Sequence, residues 1–159
     1  MALTTQQLAS LKADILADPI LAAEPMNDDG HFDIAAAYNL PASPSFTVWK
    51  TAVSTSDVKD VVNWTEFIGR TAGERDAFQF LLSNEIINPS SPNVRQGIQD
   101  MFSGPSGVTS RAAIFARSKR GSTRAEKLFA SGTGSDGSPA TMSFEGNLSY
   151  ADVSAARNS

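Results

Sequence analysis

The stretch Gly132-Thr133-Gly134-Ser135-Asp136-Gly137 (GTGSDG) decides between two very different folds. Its glycines stand at G-x-G-x-x-G spacing, the spacing of the dinucleotide-binding fingerprint. In that role the motif follows a strand and opens a helix, so that the helix N-terminus faces a pyrophosphate. Here it follows RAEKLFA (124–130), whose pattern is helical. It precedes SPATMSFEG (138–146), where Pro139 and the alternating Met142 and Phe144 read as extended chain. No βαβ pattern surrounds it, and no Gly-Lys-Ser/Thr phosphate loop occurs. The stretch therefore reads as a flexible Gly/Ser linker, and no cofactor is expected.

Upstream of it the chain reads as helices punctuated by caps and prolines. Thr4 and Gln7 stand at capping-box spacing ahead of Leu8, Leu11 and Ile15, and Asp18-Pro19 stops the run, which predicts a helix over 5–17. Asp29 is a candidate N-cap for a helix over 31–38. Ser43 with Pro44 at the first helical position predicts a short helix over 44–51 that buries Phe46 and Trp49. Thr55 or Ser56 opens a further helix carrying Val58, Val61 and Val62. Thr71 with Glu74 and Thr123 with Glu126 form two more capping boxes, and Ser91 with Pro92 opens a helix carrying Ile98 and Phe102. A basic helix is predicted over 107–119, with cations at its C-terminal end, where the macrodipole favours them.

The predicted fold is all-α, a bundle of about seven to eight short helices. Residues 1–130 form the helical body, and 131–159 form a linker and an extended C-terminal arm. The predicted core is Leu11, Ile15, Phe46, Trp49, Phe78, Leu82, Ile98, Phe102 and Phe115. Met142, Phe144, Leu148, Tyr150 and Val153 are many apolar side chains for a free tail. They are therefore candidates to dock on another subunit.

Composition excludes several classes. The chain of 159 residues has 41% hydrophobic and 19% charged side chains, enough for a core. There is no cysteine, so disulfides, thiolate metal sites and thiol catalysis are excluded. No secretory leader or membrane-spanning run is read, and a soluble protein made in the cytoplasm is expected. Net charge is −4 and unevenly spread. Residues 1–40 hold six acidic side chains against one lysine, and residues 111–127 hold six basic ones against one glutamate. Such asymmetry suits either solvated faces or the meeting of one copy's acidic end with another's basic end.

Catalytic signals are weak. His31 is the one histidine, beside Asp28, Asp29 and Asp33; the stretch NDDGHFD lacks the remaining ligands of a calcium loop and reads as a polar helix start. Glu66, Glu74 and Asp76 read as solvated carboxylates. No enzyme and no metal site is predicted. Residues 94–120 superficially resemble a helix-turn-helix, but Arg117, Lys119 and Arg120 lie at the wrong end of the second helix for base reading.

Four stretches, SPSFTVWKT (43–51), NPSSPNVRQGI (88–98), RAEKLFASGTG (124–134) and SPATMSFEGNLSYADVSAAR (138–157), resemble a family of small structural proteins of tailed bacteriophages and prophages. Within it the chain is most similar to head–tail connectors, or neck adaptors. The resemblance implies a non-enzymatic subunit of a twelvefold homo-oligomeric ring between portal and tail. It implies portal and adjacent neck or tail proteins as partners, and at most non-specific contact with DNA passing through the ring. The implied location is the virion neck, after assembly in the host cytoplasm. Arg117, Lys119, Arg120, Met142, Phe144, Leu148, Tyr150 and Val153 are the candidate interface. The alternatives are a phage DNA-binding or regulatory protein using the 94–120 hairpin, and another tail completion or accessory virion protein.

Overall fold

The computed structural model describes residues 2–159. Along the chain it places α1 (Thr5–Ala17), α2 (Pro19–Ala22), α3 (Asp28–Asn39), β1 (Thr47–Trp49), β2 (Val53–Ser54), α4 (Thr55–Val61), α5 (Trp64–Ile68) and α6 (Ala72–Leu81). Then follow β3 (Ile86–Ile87), α7 (Pro92–Met101), a 3-10 turn (Pro105–Gly107), α8 (Val108–Arg117) and β4 (Lys119–Gly121). The last elements are α9 (Arg124–Leu128), β5 (Ala130–Ser131), β6 (Thr141–Met142) and α10 (Tyr150–Arg157). The chain is mostly helical, at 55% helix, but 11% of it forms small sheets, so the all-α expectation holds only in its coarser form. The sheets are three two-stranded pairs, β1–β4, β2–β3 and β5–β6.

The chain divides into two compact units. The first runs to Thr47 and resumes at Gly121; the second is Val48–Arg120. This is not the division expected at residue 130.

In the first unit, Thr4 and Gln7 form the predicted reciprocal box and α1 begins where the sequence places it. Asn27, rather than Asp29, caps α3, so that helix starts earlier than expected. Helix α10 packs against α1 and α3. Leu11, Ile15, Ile34, Tyr38, Ala125, Phe129, Phe144, Leu148, Val153 and Ala156 close one core. Residues 131–159 thus belong to the body and do not leave it as an arm.

Two clamps explain that correction. At the start of α10 the Asn39 amide donates to the Leu148 carbonyl (2.9 Å) and accepts from the Leu148 N–H (2.8 Å). At its other end, Arg157 donates to the carbonyls of Pro25 (2.9 Å) and Glu24 (2.8 Å). Burying Phe144, Leu148 and Val153 at home removes apolar surface that an arm would leave in water until assembly.

GTGSDG is likewise not a loose linker. It lies in the loop of a β-hairpin in which Ala130 pairs with Met142 and Ser131 with Thr141. Gly132 and Gly134 adopt positive φ, 122° and 66°, which glycine reaches without steric cost. The Thr47 N–H donates to the Gly134 carbonyl (2.7 Å), and the Thr47 carbonyl accepts from Ala140 (2.9 Å). One residue thus ties down both sides of the loop.

The predicted helix over 44–51 is absent: Thr47–Trp49 is a strand, and the Ser43–Pro44 bond is cis. The run Thr-Val-Trp is β-branched and aromatic, which favours extended chain over the helix that Pro44 alone suggests.

The second unit closes a separate core around Val58, Phe78, Leu82, Ile98, Met101, Phe102 and Ile114. Thr71 and Glu74 form their expected box at the start of α6. The short α5, unmarked by any helical repeat in the sequence, is capped by the Asn63 side chain on the N–H groups of Thr65 and Glu66. Edge-to-face and tilted rings run from Trp64 through Phe67 and Phe78 to Phe102. Of the predicted core, Phe46 and Phe115 are half-buried and the rest are buried.

Candidate functional site

A half-buried polar node in the first unit is built around Arg124. Asp14 lies in the last turn of α1, and Asp18, the extended residue that ends α1, also caps α2. Arg124, the first residue of α9, donates one nitrogen to Asp14 and the other to Asp18, each at 3.0 Å. Its guanidinium lies over the Tyr38 ring, 4.5 Å from the centroid. The Tyr38 hydroxyl donates to the same Asp14 oxygen. Burial, and then the Asp14 carboxylate beside it, push the Tyr38 phenol far above its usual range. The Arg124 hydrogen bond holds Asp18 below the usual carboxylate range.

A cleft of about 650 Å³ opens beside this node, lined by Asp14, Ala37, Leu40, Pro41, Ser43, Arg124, Lys127 and Leu128. Lys127 lies 5.8 Å from the centre of the Phe46 ring. The groups that would attract a substrate are committed to each other: Asp14 serves Arg124 and Tyr38, and Arg124 serves two carboxylates. The node's chemistry is that of a lock joining α1, α3 and α9.

A second carboxylate does similar work in the other unit. The Glu66 oxygens accept the N–H groups of Thr109 (3.0 Å) and Ser110 (2.7 Å), which open α8. Burial raises this carboxyl, but the bonds from Ser110 and Thr109 outweigh it and bring it down to about 2. Glu66 reads in the sequence as solvated; here it caps another helix across the sequence.

The candidate interface residues divide between the two units, three in the second and five in the first. Phe144, Leu148 and Val153 are buried in the first unit, so no partner reaches them while it stays folded. Met142 is half-buried on β6, and Lys119 and Arg120 are half-buried on β4. Arg117 is exposed at the end of α8. Tyr150 is exposed and stacks on Phe32, with ring centroids 4.6 Å apart. Sequence reasoning passed over Phe32, because it lies among acids rather than in an apolar run.

The 94–120 hairpin spends two of its bases internally. Arg95 donates to the carbonyls of Pro89 and Ser90 and lies over Trp49, and Arg111 donates to the Phe102 carbonyl. The polar helix start is as expected, but the His31 ring itself is buried, and neither ring nitrogen has a hydrogen-bond partner among the described residues. Among the described residues no group of three or more His, Asp or Glu side chains is placed to hold a metal ion. Among them too, no helix is long and apolar enough to cross a membrane. The chain matches no family model, no curated protein and no solved structure.

Proposed function

We propose that this chain is a non-enzymatic structural protein of a tailed phage or prophage virion, a head–tail connector that forms a ring between portal and tail. The four stretches that resemble such proteins support this reading, and so does the surface. The observation that carries it is the set of large apolar side chains left in water on both units. Leu16 and Ile20 are 65% and 76% exposed in the first unit, and Ile68 and Phe80 are 67% and 81% exposed in the second. Each unit also holds a small apolar cleft. One, of about 250 Å³, is lined by Ile15, Leu16, Ala22 and Met26; the other, of about 220 Å³, is lined by Trp64, Phe67, Phe78 and Leu82. Uncovered apolar surface of this kind marks protein–protein contact. A ring subunit needs several such faces, since it touches two copies of itself and a different protein above and below. With 131–159 folded into the body, outer helix faces supply those contacts.

The test is to mix the purified chain with a portal ring from the same phage or prophage and measure mass by light scattering and sedimentation. Co-migration with the portal, lost in Phe80→Asp or Ile20→Asp variants of unchanged melting temperature, is the expected result. Separate migration at every concentration, together with salt-dependent DNA binding, supports the regulatory alternative instead.

A further inference from the structure

The two units differ in charge. The first holds ten acidic and four basic side chains, and the second seven acidic and nine basic. On the acidic unit, Asp29, Phe32, Asp33 and Ala36 fall at i, i+3, i+4 and i+7 of α3 and are all exposed. Phe32 and Tyr150 stack there while remaining 54% and 41% exposed, an aromatic platform in water. Among the described residues Asp29 and Asp33 have no ion-pair partner of their own.

On the second unit, α8 leaves Val108, Ala112 and Ala116 exposed at i, i+4 and i+8, a smooth stripe of small side chains. The stripe ends at Arg117, which is exposed and likewise unpaired. Small side chains let a second helix approach closely. An arginine at the stripe's end suits this platform, because a guanidinium both stacks on aromatic rings and pairs with carboxylates.

We infer that the α3–α10 face of one copy receives the α8 face of a second copy, with Arg117 laid on the Phe32–Tyr150 platform between Asp29 and Asp33. This rests on the connector reading and names the contact by which its copies associate. The two faces are different patches of one chain, so the contact is heterologous. The first copy keeps its α8 face free and the second its α3–α10 face, and repetition gives a ring or a filament rather than a closed dimer. The occupant is a second copy rather than an unrelated basic protein because the complementary charge and shape both lie on this chain.

The chain's lack of cysteine makes the contact directly testable. Ala36→Cys and Ala116→Cys single variants are prepared, alone and in mixture, and treated at high protein concentration with a short thiol-specific cross-linker. No portal protein is present, so a negative result is separate from failure of portal binding. The expected result is a covalent dimer only in the mixture, and a ladder of oligomers from the doubly substituted chain. Arg117→Glu should reduce that ladder at least tenfold, and adding Asp29→Lys with Asp33→Lys should restore it. No dimer in the mixture, or a dimer formed by either single variant alone, overturns the proposal.

Discussion

Gly134 lies against the ring of Phe46 with no room between them: a Cβ on Gly134 would fall 2.1 Å from Phe46 Cε2. Gly132 and Gly134 therefore serve the hairpin. Gly134→Ala would meet both this clash and a positive φ, for a combined loss of about 2–5 kcal/mol. Gly137 has ordinary φ and open space around it, so Gly137→Ala should change stability by about 0.5 kcal/mol or less. Thermal and urea unfolding of the two variants check this contrast.

Residues 138–159 complete the first unit's core, so their loss should be felt in the isolated chain. Leu148→Ala should cost about 2–5 kcal/mol, the usual range for a buried leucine. Limited proteolysis should spare the 132–137 loop of the native chain. A chain ending at residue 137 should lose the near-ultraviolet signal of Tyr38.

Acid should loosen the start of α8. The folded Glu66 carboxyl lies at about 2, below the 4.5 of an unperturbed glutamate. Its contribution is therefore complete above pH 4.5 and is lost as pH falls toward 2. Glu66→Gln should lower the melting temperature at neutral pH, and the gap from the parent chain should close across that window. A gap independent of pH would mean that the carboxylate charge is not what holds Thr109 and Ser110.

Tyr38 should resist ionisation. In a Tyr150→Phe background it is the remaining tyrosine, and its phenolate absorbance should appear only as alkali unfolds the first unit. Arg124→Met should bring that transition to lower pH, because it removes the guanidinium that holds Asp14 and Asp18 together.

Short-range signals in the sequence were the readable ones. The boxes Thr4/Gln7, Thr71/Glu74 and Thr123/Glu126 each open a helix in place, because a cap depends on residues three apart. The pairing of Ser149 with Asp152 does the same for α10. What could not be read was partner choice at long range. Phe144, Leu148 and Val153 are visibly apolar, but whether they cover α1 and α3 or a neighbour depends on Asn39 and on the Glu24 and Pro25 carbonyls that Arg157 reaches, all far away in sequence. The Arg124 node is hidden for the same reason: Arg124 lies more than a hundred residues from Asp14 and Asp18. The strand at Thr47–Trp49 is not legible because Ser43-Pro44 carries a helix-start signal that conflicts with the β-branched and aromatic run after it.

The central claim is that this chain sits at the neck of a tailed virion. Immunogold electron microscopy of intact particles, using antibody raised against the purified chain, tests it most directly. The account predicts gold at the junction of head and tail and nowhere else on the particle. Unlabelled virions whose lysates still contain the chain, or gold confined to the distal tail, would contradict it.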